Sequence, residues 1–168
     1  LTTDRGTYQG SSLLHDDDSC TLLQLDGSIV RVSLDNVMGF RQVAPRYRPM
    51  SVDALKQELR RDFDDLNIES AGNSIVVAPS GMSRGLAELH HDTWGVYQDY
   101  FRRRSFDVSR TEMPFVTIVY PTFEEFALVA RSQNVRVTDT MKGYYHALTN
   151  RIIMFVPPEE PESEVSNV

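Results

Sequence analysis

The four histidines, His15, His90, His91 and His146, are the first side chains to test for metal ligation or acid–base chemistry. Two are adjacent in "ELHHDTW". On a helix, neighbouring residues point about 100° apart, whereas two ligands of one ion sit at i and i+4, as in H-E-x-x-H. Neither His90 nor His91 has a second histidine four residues on. His90 shares a helical face with Trp94, Tyr97 and Phe101 and is expected at the edge of a core, hydrogen-bonded. His91 falls with Gly95 and Gln98 and is expected on the surface.

Other candidates also favour plain structural roles. "LLHDDDS", with Asp16 to Asp18, lacks the spaced oxygen ligands and glycine of a calcium loop and is expected to be a solvated hairpin turn. Asp64-Asp65 and Glu124-Glu125 fall at predicted helix ends, where capping and the helix dipole account for them. "VAPSGMSRG" lacks the lysine and spacing of a phosphate-binding loop, and no G-x-S-x-G occurs. The lone Cys20, within "CTLLQL", is expected to be a small buried core residue. Arg102-Arg103-Arg104 ends a predicted helix, where positive charge complements the dipole. No catalytic residue and no metal ligand is assigned.

The elements that would position any site must come from 168 residues, enough for one core plus a small satellite module. With 40% hydrophobic and 24% charged residues and no long apolar run, a soluble globular protein without membrane insertion is expected. A net charge of -7 repels a nucleic-acid backbone, so no nucleic-acid partner is expected. A first residue of Leu1 rather than methionine suggests that an upstream segment was removed, and compartment is otherwise open.

Residues 1–46 are β-rich. Asp26-Gly27 separates the apolar alternations Leu23, Leu25 and Val30, Val32, Leu34, which predicts a hairpin with a type I′ turn inside a meander of three or four strands. "APRYRPM" is a predicted linker. Beyond it, Ser51 is a predicted N-cap, Met50 and Leu55 a hydrophobic staple, and Val52, Leu55, Leu59 and Phe63 a helical stripe. Two short strands are expected around Ala71-Gly72-Asn73. Residues 84–103 form a predicted core helix with Leu86, Leu89, Thr93, Val96 and Tyr100 along its stripe. "PFVTIVYP" is a predicted central strand. In the helix that follows, Thr122 and Glu125 form a capping box, and Phe123, Phe126, Ala127 and Ala130 the buried face. Last come strands over 143–147 and 151–156, joined by "LTN" with Asn150 suited to a left-handed conformation. The acidic, proline-rich residues 158–168 are expected to be disordered.

The fold class expected is therefore α+β. A small N-terminal antiparallel β-meander (1–46) precedes a domain (47–157) with a mixed sheet of about five strands and about three helices.

The order strand, capped helix, then "GYYHALTNRIIMFVP" resembles the bacterial peptidase-MA-like family, whose members look like gluzincin zinc metallopeptidases. The matching residues are Gly143, Tyr144, Tyr145, Thr149, Asn150, Arg151, Ile152 and Ile153. The hairpin is also similar to the thermolysin-type edge strand. The resemblance implies that an extended substrate adds to Gly143, Tyr144, Tyr145 and His146 by backbone pairing. It also implies a zinc-bearing H-E-x-x-H helix after Val156. The sequence instead runs into the acidic tail, so neither zinc nor any other cofactor is expected in this chain, while zinc remains possible in a longer parent protein. By itself the chain is not expected to hydrolyse peptides. With the absent methionine, the resemblance also favours an extracytoplasmic location.

Two functions follow: the non-catalytic, substrate-side portion of a zinc metallopeptidase-like protein, or a peptide- or protein-interaction module with no enzymatic role. Either implies an extended peptide or a protein as partner; the oligomeric state stays open.

Overall fold

A computed structural model describes residues 1–108 and 112–157. The acidic stretch 158–168 lies outside the described residues.

The N-terminal part holds six short strands: β1 (Thr2–Thr3), β2 (Gly6–Thr7), β3 (Gly10–His15), β4 (Ser19–Gln24), β5 (Ile29–Ser33) and β6 (Val37–Gly39). The expected meander is β3-β4-β5, with Cys20, Leu22 and Val32 as its small core. The final strand does not extend it, however; β6 pairs with β1 in a second sheet of order β2-β1-β6. The β4–β5 turn also corrects an expectation. Of Asp26 and Gly27 only Gly27 has positive φ, at 89°, so the turn is not type I′, which needs both. Gly27 N–H donates to the Gln24 carbonyl at 3.1 Å, while Asp26 Oδ1 accepts from Ser28 N–H at 3.0 Å and from its hydroxyl at 2.7 Å. The aspartate side chain shapes the turn instead of a left-handed backbone.

After the irregular linker comes α1 (Val52–Asp62). The Ser51 side chain accepts from Ala54 N–H, Met50 packs with Leu55 in one cluster, and Leu55 and Leu59 are fully buried. The hairpin β7 (Asn67–Ala71) and β8 (Ser74–Ala78) follows, then α2 (Ser83–Arg102), β9 (Phe115–Tyr120), α3 (Phe123–Ser132), β10 (Gly143–His146) and β11 (Arg151–Phe155). The Thr122 hydroxyl accepts from Glu125 N–H, and Phe126, Ala127 and Ala130 are buried beneath α3.

These five strands make one sheet of order β10-β11-β9-β8-β7. The central three, β8, β9 and β11, are parallel; β7 and β10 run antiparallel at the two edges. Alternation along β9 divides the core. Val116, Ile118 and Tyr120 pack with α1, Ile153 and Phe155 of β11 pack with α3 on that same face, and Val119 packs with Val76, Ala78 and Ala87 of α2 on the other. The fold is α+β, with α1 and α3 on one face of a mixed sheet and α2 on the other. Among the described residues, no helix is long and apolar enough to cross a membrane.

The long helix departs from expectation. Its sheet-facing residues are Ser83, Leu86, Ala87, His90 and Trp94, whereas Leu89, Val96 and Tyr100 of the predicted stripe are half or more exposed. A pattern of apolar spacing identifies a helix but not how far its partner surface reaches. Here α2 lies mainly over β7 and β8 and meets β9 through Ala87, His90 and Trp94, so the face of β9 and β11 beyond them is left partly uncovered by the described residues.

Candidate functional site

β10 is an edge strand, paired on one side with β11 in the register Gly143↔Met154, Tyr144↔Ile153, Tyr145↔Ile152 and His146↔Arg151. Its four residues divide between the two faces. Tyr144 turns toward α3, where its ring packs on Phe126 and its hydroxyl donates to Gln133 Oε1 at 2.7 Å. Burial pushes this phenol up to about 12, with nearby Tyr120 adding to the shift. His146, on the same face, has Nδ1 2.9 Å from the Thr149 hydroxyl and so fastens the turn. Gly143 and Tyr145 face the α2 side. A Cβ on Gly143 would lie 2.8 Å from the Ile153 carbonyl oxygen, a backbone approach that only glycine permits. Tyr145 is 60% exposed, and its hydroxyl donates to Asn150 Oδ1 at 2.8 Å.

Asn150 takes the left-handed conformation expected of it, with φ 53°, at the end of a four-residue connection rather than "LTN" alone. The turn is held from below by the N-terminal module. Ile29 N–H donates to the Leu148 carbonyl at 2.6 Å, and Asp26 Oδ2 lies 3.7 Å from the Arg151 guanidinium, both side chains about four-fifths buried. Gly27 fits against Met113 and Asn150 so closely that a Cβ would come within 2.6 Å of the Met113 sulfur. The β4–β5 turn thus supports the hairpin that carries β10.

Beside this strand lies a feature that the sequence did not single out. Between α2 and the uncovered face of β9 and β11 runs an apolar groove of about 260 Å³, walled by Trp94, Tyr97, Phe115 and Ile152, with His90 and Thr117 also lining it. Trp94 stacks on Tyr97 at 5.2 Å and tilts against Phe115 at 5.2 Å. His90 Nδ1 is 3.3 Å from the Thr117 hydroxyl, so it is the hydrogen-bonded, core-edge residue its helical face suggested, and burial holds its pKa below the usual value. His91 is exposed, as expected. Tyr145 stands opposite Ile152 across the β10–β11 pair, on this same face. Phe115 and Thr117 escaped notice, and Ile152 was singled out only for the resemblance, because all three come from strands whose apolar runs read as uniformly buried.

Among the described residues no three His, Cys, Asp or Glu side chains are grouped to hold one ion, and His90 and His146 sit on opposite faces of the sheet. Elsewhere, Asp16 Oδ1 accepts from Asp18 N–H, the Ser19 hydroxyl and Ser19 N–H, bonds that hold its carboxyl below the usual value, and Asp16 pairs with Arg31 at 3.3 Å. That is a hairpin turn satisfied by its own groups. Cys20 is buried.

No family model, no curated protein and no solved structure matches this chain.

Proposed function

We propose that this chain is the substrate-side portion of a zinc metallopeptidase-like protein, and that β10 receives an extended peptide by backbone pairing. One observation carries this reading: among the described residues β10 is an antiparallel edge strand beside a parallel core, with one flank unpaired and an open apolar face next to it. An unpaired strand edge presents alternating N–H and C=O groups, which give an added strand affinity, while neighbouring side chains give it selectivity. Tyr145 would be the side chain met on the groove side, and Gly143 leaves room beside it. Tyr144 and His146 would act by holding the strand in place, since their polar atoms are already engaged.

The uncovered face supports the same reading. β8 and β11 are two strand spacings apart, about 9.6 Å, which is the distance at which two helices pack side by side. Val156 continues past β11, with its N–H donating to the Tyr120 carbonyl at 2.9 Å and its side chain packed toward α2. A helix following β11 would therefore be delivered beside α2, over the groove. In this proposal that helix belongs to sequence of a longer parent protein, and any zinc and catalytic groups with it; none is assigned to a residue described here.

A second reading keeps the peptide and drops the enzyme: the same free edge serves a module that only captures extended segments. Both predict saturable binding from a library of extended peptides, with slowed amide exchange in β10 and loss of binding on Tyr145→Pro. Binding that survives that substitution, or protection confined to other strands, would overturn both. Zinc affinity then separates them. The first expects tight zinc binding by a longer chain and not by these 168 residues; the second expects none from either.

A further inference from the structure

A second site lies in the N-terminal module, beside β3. Arg41, Arg46 and Arg48 line one cleft of about 500 Å³ beside β3, together with Gly10, Ser11 and Ser12 of that strand. None of the described residues lining the cleft is acidic, in a chain with 24 acidic and 17 basic side chains. Among the described residues the ion pairs use Arg31, Arg102 and Arg151, leaving these three arginines without a carboxylate. The segment that carries them is nevertheless anchored. The Tyr47 hydroxyl donates to the Gln24 carbonyl at 2.8 Å, and Met50 N–H donates to the Leu25 carbonyl at 2.8 Å. Arg46 and Arg48 flank that fixed tyrosine and are themselves exposed.

We propose that this cleft binds an acidic peptide in extended conformation, laid along the free edge of β3 with its carboxylates on Arg41, Arg46 and Arg48. Among the described residues β3 is the outer strand of its sheet and pairs only with β4, so its other flank can accept an added strand. Carboxylates on one face of such a strand recur every two residues, roughly 6.6–6.8 Å, a spacing that suits arginines at i and i+2. The guanidinium fork takes a carboxylate in two parallel hydrogen bonds. A compact phosphate ligand is less well served. Among the described residues the cleft is lined by strand and irregular segment, with no helix N-terminus to cradle a phosphate.

The test is fluorescence anisotropy of a labelled hexaglutamate peptide with the full chain at low salt. Saturable binding is expected, weakening as salt rises toward about 0.15 M because exposed charge pairs are screened. The triple substitution Arg41→Gln, Arg46→Gln, Arg48→Gln should weaken it about tenfold, as three exposed pairs contribute a few-fold each. Amide exchange should slow in β3, and Tyr145→Pro should change nothing, which separates this cleft from the β10 edge. Circular dichroism of the triple variant should match the parent, since all three side chains are at the surface. Equal affinity of the triple variant, or no protection of β3, would overturn the proposal. So would binding of inorganic tripolyphosphate with the same arginine dependence where hexaglutamate fails, which would make the cleft a small-oxyanion site.

Discussion

Asp26→Asn isolates the contact by which the N-terminal module supports the candidate peptide-binding hairpin. The amide keeps the shape of the side chain and can still accept from Ser28, so the turn itself should survive. What goes is the charge facing Arg151 at 3.7 Å. At an effective dielectric constant of 20, two unit charges at that separation attract by about 4.5 kcal/mol, before the cost of desolvating both. With the side chains 22% and 16% exposed, much of that attraction is offset, and a coupling of about 1–2 kcal/mol is expected to remain. The single substitution should cost somewhat more, about 2–3 kcal/mol. It strands an arginine whose Nε is already buried without a hydrogen-bond partner. For a domain of this size that corresponds to a fall of roughly 5–10 °C in Tm. Urea denaturation of Asp26→Asn, Arg151→Met and the double variant would give the coupling directly. Amide exchange should show the 147–150 turn and β10 loosening first. A coupling below about 0.3 kcal/mol, or a loosening confined to β4 and β5, would refute the view that this pair ties the module to the hairpin.

Gly72 has φ 53°, and a Cβ there would lie 2.3 Å from the ring of the exposed His91. Gly72→Ala should cost about 1–2 kcal/mol in urea denaturation, mostly from the backbone, so adding His91→Ala should recover little of it. Tyr144→Phe should cost about 1 kcal/mol through the lost bond to Gln133, and should remove the last phenol to ionise in a spectrophotometric titration. Because its pKa is raised, the stability Tyr144 contributes is present below pH 10 and is lost as pH climbs toward about 12. His90 works in the opposite direction. Its folded pKa lies below 6.5, so protons bind the unfolded chain first, and stability should fall as pH drops below about 6.5; His90→Gln should flatten that dependence in Tm measured against pH.

Local structure was largely legible in the residues. Ser51 and Thr122 cap their helices as their side-chain chemistry requires, the strands expected around Ala71-Gly72-Asn73 form, Asn150 takes the positive φ expected of it, and the continuous apolar run of β9 occupies the middle of the sheet. Each depends on groups within a few positions along the chain. The Asp26-Gly27 turn was legible only in part, because the Asp26 side chain offered Ser28 a hydrogen bond that changed the turn type.

The sequence by itself determined the class of the fold, the number of its main helices and the identity of the edge hairpin. Capping, alternation and turn chemistry act locally, and apolar spacing reports which face of an element avoids water. Only the tertiary structure decided that α2 centres on β7 and β8 and covers β9 only in part, leaving Tyr97, Phe115 and Ile152 to wall a groove. Only it turned Tyr144 inward and Tyr145 outward, and gathered Arg41, Arg46 and Arg48 beside β3. Those outcomes depend on which surfaces meet across long sequence separations, and a residue's own type and spacing carry no record of what lies opposite it.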